Sequence, residues 1–239
     1  MKTSLITGGA ARIGAQIVRT LHENGYKVII HCHQSEEIAQ ALCRELNSKR
    51  NSSAQVVVAD LGDNEAIKKL TQTIKSLDLL VNNASVFYPT STENSTIEDW
   101  DKIININLRA PFFITTKLNK ALEVSEGSIV NIIDIHSDRP LKNHSIYNIS
   151  KAGLKMLTKT LAKELAPNIR VNGVSPGSIL WPQGPAELSQ EEKFNILDKI
   201  ALNKHGSTED IAEAVLFLAN AKYITGEVIN IDGGRSLNQ

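Results

Sequence analysis

Tyr147 and Lys151 stand four residues apart in the stretch S-I-Y-N-I-S-K, with Asp134 upstream in D-I-H-S-D. Residues at i and i+4 share one face of a helix, so the phenol and the ammonium can converge on one point. A tyrosine ionises near pH ~10. A neighbouring cation favours the phenolate and is expected to lower that value, making the hydroxyl a proton donor or acceptor near neutrality. The spacing alone also describes many half-buried rings beside solvated lysines. It acquires meaning from a second set of residues at the other end of the chain.

Those residues are T-G-G-A-A-R-I-G at Thr7 to Gly14, between a short apolar run and an amphipathic stretch. Glycines permit a tight turn and let backbone N–H groups approach a pyrophosphate, whose charge a helix N-terminus favours. Gly8, Arg12, Ile13 and Gly14 are the expected contacts. Asp60-Leu61 follows a third apolar run, where a carboxylate can accept a bond from an adenine amino group, and Asn82-Asn83-Ala84 follows a fourth. The second run ends in His31-Cys32-His33-Gln34-Ser35, with no acid before Glu36. A carboxylate there would bind a free ribose 2′-hydroxyl and repel a 2′-phosphate. Its absence, the donors on His33 and Ser35, and the fixed charge of Arg12 predict NADPH rather than NADH.

The elements that must position these groups alternate along the whole chain. Strands are predicted at 4–7, 28–30, 56–59, 79–81, 128–133, 169–172 and 228–231. Helices are predicted at about 12–24, 35–47, 63–75, in stretches over 96–124, and at 145–165, with Asp63 an N-cap and Pro167 a stop. Near-continuous apolar strands separated by helices indicate a parallel sheet covered on both faces. The expected fold is α/β: a single doubly wound, Rossmann-type domain over residues 1–239, with seven parallel strands. The segment from Pro176 to His205, with Trp181, Pro182, Gly184 and Pro185, reads as irregular and is expected to be a substrate lid.

The 239 residues carry 26 Lys+Arg and 26 Asp+Glu, with no basic stripe or acidic tail, which argues against nucleic acid or an anionic membrane as partner. Cys32 and Cys43 lack metal-site spacing and a disulfide framework. No apolar run approaches the ~18 residues of a membrane span. A cytoplasmic protein without a metal is expected.

Taken together, T-G-G-A-A-R-I-G, N-N-A-S at Asn82 to Ser85, Asn107, Tyr147-x-x-x-Lys151, Pro176-Gly177, Tyr223-Ile224-Thr225-Gly226 and Asp232-Gly233-Gly234 resemble the short-chain dehydrogenase/reductase family from end to end. The resemblance implies that Tyr147 transfers the proton, that Lys151 lowers its pKa and holds the nicotinamide ribose, and that Asn107 supports a water-linked proton path. Cofactor contacts are implied for Asn83, Ala84, Ser85, Pro176 and Gly177, and a homotetramer packed through helices around Leu108 to Leu122 and Tyr147 to Leu165. Three local features are similar to the pteridine reductases within that family. N-N-A-S-V-F-Y-P-T implies Ser85 and Phe87 at the pterin. H-C-H-Q-S implies a 2′-phosphate motif formed by His31, His33, Gln34 and Ser35, with Gln34 where arginine is common. Asp134 falls at the catalytic aspartate.

Most of the wider family carries serine where this chain has Asp134. A serine hydroxyl donates to a carbonyl oxygen as it becomes an alkoxide, whereas an ionised carboxylate repels it. Two like charges ~4 Å apart cost ~4 kcal/mol at an effective dielectric of ~20, roughly a thousandfold in rate. Ketone reduction then requires a protonated Asp134 or a substitute hydroxyl on Ser137. A pterin or dihydropterin fits better: its ring N–H groups satisfy the carboxylate, its nitrogen must gain a proton, and its flat ring can stack on Phe87. The expected activity is NADPH-dependent reduction of pterins, dihydropterins or dihydrofolate, with Arg12, Ser85, Phe87, Asp134 and Tyr147 meeting the substrate. The alternatives are a 3-oxoacyl-type carbonyl reductase and an inactive nucleotide-binding scaffold.

Overall fold

A computed structural model describes residues 1–181 and 189–237. The strands are β1 (Thr3–Ile6), β2 (Lys27–Cys32), β3 (Ala54–Val58), β4 (Leu79–Asn82), β5 (Ser128–Ile132), β6 (Arg170–Pro176) and β7 (Val228–Ile231). They form one seven-stranded sheet in the order β3-β2-β1-β4-β5-β6-β7, and every pairing is parallel. The helices are α1 (Arg12–Glu23), α2 (Glu36–Lys49), α3 (Asn64–Gln72), α4 (Ile97–Ile104), α5 (Ala110–Val124), α6 (Ser145–Glu164), α7 (Gln190–Asp198) and α8 (Thr208–Asn220).

Successive strand residues point to opposite faces, and here both faces are apolar. Ile6, Val28, Ile30, Val81 and Val174 pack under α1, α2 and α8, while Leu5, Ile29, Leu80, Ile129 and Val171 pack under α3, α5 and α6. The strand order reverses between β1 and β4, so the loops leaving their carboxyl ends diverge and open a crevice. Among the described residues no helix is long and apolar enough to cross a membrane, and no cluster of His, Cys, Asp or Glu could hold a metal ion.

Three elements differ from the sequence expectation. The stretch over 96–124 is broken by a π turn at Asn105–Arg109, which inserts between α4 and α5; its residues are as helix-compatible as their neighbours, so periodicity does not reveal it. The segment after β6 contains α7, opened by a capping box between Ser189 and Glu192. Helix α8 was not anticipated, although Ser207 and Asp210 form a capping box ahead of buried Ile211, Ala212, Val215 and Leu218. Asp63 caps α3 as expected, accepting from Glu65 N at 2.9 Å.

Candidate active site

The glycine loop between β1 and α1 is fixed by its neighbours. Gly8 adopts φ +61°, and a Cβ on Gly14 would lie 2.1 Å from Gly8 O, so glycine is required at both by the turn itself. Asn83 Nδ2 donates to Thr7 O and Gly8 O at 2.9 and 3.0 Å, and Thr7 Oγ1 accepts from Asn83 N and Ala84 N. The loop ends with Arg12 at φ +53°, a left-handed conformation uncommon for a side-chain-bearing residue. No side chain caps α1 and no acid occupies its first turn. Its first N–H groups have no intrahelical acceptor, and Arg12 and Ile13 line the adjoining cavity.

This geometry revises one assignment made from sequence. His31 was expected at a 2′-phosphate, but it is only 2% exposed. Its Nδ1 accepts from Gly8 N at 3.1 Å and its Nε2 donates to Ala59 O at 3.0 Å, leaving no donor for a ligand. Burial lowers its pKa to about 4, so the ring is neutral. Asn83 commits its Nδ2 to the loop and still lines the cavity. His33 and Gln34 are exposed and Ser35 half-buried at the end of β2. His33 Nε2 lies 4.0 Å from Asp60 Oδ2, and Asp60 Oδ1 accepts from Gly62 N. Leu61 belongs to the core, so only its backbone faces outward.

On the far side of the crevice, β5 ends in Ile132, and Asp134 starts a 3-10 turn over Ile135–Ser137. Asp134 Oδ1 accepts from His136 N at 2.9 Å, and Oδ2 accepts from the Tyr147 hydroxyl at 2.8 Å. Lys151 is fully buried. Its Nζ donates to Ile132 O at 3.0 Å and lies 5.6 Å from the centre of the Tyr147 ring. The net shift of Tyr147 runs opposite to the one expected from Lys151 alone. Burial, then the Asp134 carboxylate to which it donates, push the phenol well above its ordinary value. Burial lowers Lys151 to about 8, partly opposed by Asp134, so near neutrality Tyr147 keeps its proton and Lys151 its charge.

Phe87 is 55% exposed and stacks on His144, with ring centres 4.6 Å apart and planes 13° apart; its edge contact to Tyr147 spans 4.8 Å. Asn107 sits buried in the π turn. Its Oδ1 accepts from Val86 N and Ser85 Oγ, and its Nδ2 donates to Val86 O and Ser150 Oγ. The Asn107 side chain therefore shapes the Ser85–Val86 wall and makes no direct bond to Tyr147 or Lys151.

A cavity of about 390 Å³ joins the two sides, lined by Arg12, Ile13, Asn83, Ser85, Phe87, Asp134, Lys151, Pro176 and Gly177 among others. Trp181 also lines it, stacked on His205 at 4.1 Å, as does Ile196 of α7. Pro182, Gly184 and Pro185 lie outside the described residues. A larger cavity of about 560 Å³ opens at the amino ends of the strands. Its Arg170 is tied to the carbonyls of Leu218, Ala219 and Ala221, and its lining includes none of Asp134, Tyr147 and Lys151.

The sequence reading missed His136, Leu141 and Arg235 in the 390 Å³ cavity. Arg235 follows β7, and everything leaving a strand's carboxyl end in this topology approaches the crevice; that signal was available. Arg139 Nη1 holds Arg235 O at 2.7 Å. Ser137, the substitute donor considered above, turns its hydroxyl toward Asp138 and does not line the cavity.

A family model described as enoyl-(acyl carrier protein) reductase matches residues 8–236. The 3-oxoacyl-[acyl-carrier-protein] reductase FabG of Aquifex aeolicus is 38% identical over 241 residues, covering 98% of this chain and 96% of that protein. The protein of the same name from Rickettsia prowazekii is 36% identical over 237 residues, with the same coverage. Pteridine reductase 1 of Leishmania tarentolae is 33% identical over 283 aligned residues, covering 99% of this chain and 96% of that protein. Matched at this level along nearly its whole length, and with the parallel sheet and crevice described above, the chain belongs to the short-chain dehydrogenase/reductase family of oxidoreductases.

Proposed function

We propose that the protein uses NADPH to reduce a ring C=N bond of a pterin, dihydropterin or dihydrofolate. The observation that carries this reading is the 2.8 Å hydrogen bond from the Tyr147 hydroxyl to Asp134 Oδ2. It supports a site built to pass a proton to nitrogen, with a carboxylate where a carbonyl reductase needs a donor. Phe87, exposed at the cavity wall, offers a face for a flat ring.

The uncapped α1 N-terminus with no first-turn acid fits the phosphates of a dinucleotide, and Arg12, His33 and Ser35 supply donors for a 2′-phosphate. A reduced nicotinamide bound beside them would supply the hydride. Tyr147 gives its proton to the substrate nitrogen, and the buried Lys151 ammonium offsets the charge left on the phenolate. Asp134, half-buried at the wall, is the route by which a solvent proton returns to Tyr147. Trp181 and α7 form the near wall of a substrate lid. Exposed Phe112, Phe113, Ile149 and Met156 on α5 and α6 support the homotetramer implied by the family.

A second reading, 3-oxoacyl reduction, is favoured by the relatives of that name, which are more similar to this chain than the pteridine reductase is. NADPH consumption with 7,8-dihydrobiopterin, dihydrofolate and a 3-oxoacyl thioester separates the readings. Turnover of either pterin ring supports the first. Turnover of the thioester alone establishes the second, and no turnover with bound NADPH leaves an inactive scaffold.

A further inference from the structure

Two consecutive N–H groups of the glycine loop end on one residue of the neighbouring strand. Gly9 N donates to His31 O at 2.9 Å, and Gly8 N donates to His31 Nδ1 at 3.1 Å. The other ring nitrogen reaches the opposite way, to Ala59 O at 3.0 Å, one residue before Asp60-Leu61. The partners fix the protonation pattern. A backbone N–H can only donate, so Nδ1 is bare; a carbonyl can only accept, so Nε2 carries the hydrogen. At 2% exposure no water replaces either bond.

We infer that His31 is a positioning residue for the nucleotide site: its neutral Nε2–H imidazole spaces the glycine loop from the end of β3, and ligand affinity depends on the acceptor at Nδ1. The inference rests on the nucleotide-binding role proposed above for the loop. By engaging the N–H groups of Gly8 and Gly9, His31 takes up two donors of the loop, while the α1 N-terminus keeps its first N–H groups uncapped. Loss of the acceptor would leave the Gly8 N–H without its partner at a half-buried position, where an unmade bond is costly, and the loop would rotate to satisfy it.

Two substitutions divide the two bonds. In His31→Asn the amide oxygen can stand near Nδ1 and keep the Gly8 bond. In His31→Gln the longer amide reaches the Nε2 position and keeps the Ala59 bond alone. NADPH dissociation constants, measured by fluorescence titration, are expected to rise about tenfold in His31→Gln and by no more than about threefold in His31→Asn. Equal weakening in both, or unchanged binding in His31→Gln, overturns the inference. Nitrogen-15 NMR of histidine in the unmodified protein reads the tautomer directly and needs no variant to fold. A His31 carrying hydrogen on Nδ1 at neutral pH overturns the inference as well. Failure of the unmodified protein to bind NADPH would instead overturn the nucleotide-site reading, and the tautomer measurement stands apart from it.

Discussion

On the α1 side of the cavity, Thr7, His31 and Asn83 spend polar atoms on backbone groups of the glycine loop and of the neighbouring strand ends. On the α6 side, Asp134 and Tyr147 turn theirs on each other, beside a fully buried Lys151. In the proposed function the first side meets the pyrophosphate with oriented main chain, held by the side chains of Thr7, His31 and Asn83 as hidden scaffolding. The second presents side chains whose protonation can change, with main chain as scaffolding: Ile132 O for Lys151, His136 N for Asp134. Substitutions on the first side should therefore alter binding, and substitutions on the second should alter turnover.

The largest effect is expected from Tyr147→Phe, which removes the transferable proton and keeps the ring. Turnover should fall about a thousandfold, within the range for loss of a general acid, while the NADPH dissociation constant stays within about twofold. Stopped-flow turnover and fluorescence titration check the two halves. Retained turnover would move the proton source to another residue.

The division also sets how much could be read from sequence. Tyr147 and Lys151 could be picked out as side-chain types at helical spacing, and Asp134 through the resemblance to the pteridine reductases. Their electrostatics were not. Only the structure shows Tyr147 buried and donating to Asp134, both of which favour its protonated form, where the residue types alone suggested that Lys151 would loosen the proton. On the α1 side the order of strands and the loop were plain from the apolar runs and glycines. The roles of His31 and Asn83 were not, because a polar residue at a strand end reads alike whether it meets a ligand or a buried N–H. Arg235 was hidden by sequence distance, since it joins the cavity only through the sheet order that places β7 beside β6.

A second expected effect concerns stability and belongs to the scaffolding side. His31 titrates near 6.5 when unfolded and at about 4 when folded, because burial opposes its charged form. His33 lowers it further, while Asp60 and the Ala59 carbonyl oppose the shift. Between those values the unfolded chain binds a proton that the folded chain refuses, so stability falls as pH drops from 6.5 towards 4, by about 3 kcal/mol at most. Urea unfolding across this window should show that slope, and His31→Asn should remove its share. An unchanged slope in the variant would mean that His31 titrates normally in the folded protein.

A smaller effect is expected from Arg12→Ala. Loss of one charge-assisted contact costs about 1.5–3 kcal/mol, so NADPH affinity should fall about tenfold or more while NADH affinity changes little. Comparable losses for both cofactors would place Arg12 at the shared pyrophosphate rather than at the 2′-phosphate.

The central claim is that Asp134 makes this a reductase of C=N rather than C=O bonds. Its most direct test is kcat/KM for 7,8-dihydrobiopterin and for an activated ketone, in the unmodified protein and in Asp134→Ser, with NADPH saturating. The expected result is a preference for the pterin in the unmodified protein. In the variant, pterin reduction should fall about a hundredfold, with ketone reduction unchanged or raised as repulsion of the nascent alkoxide is relieved. An unmodified protein that reduces the ketone and no pterin, or a variant that loses both activities equally, would contradict the account.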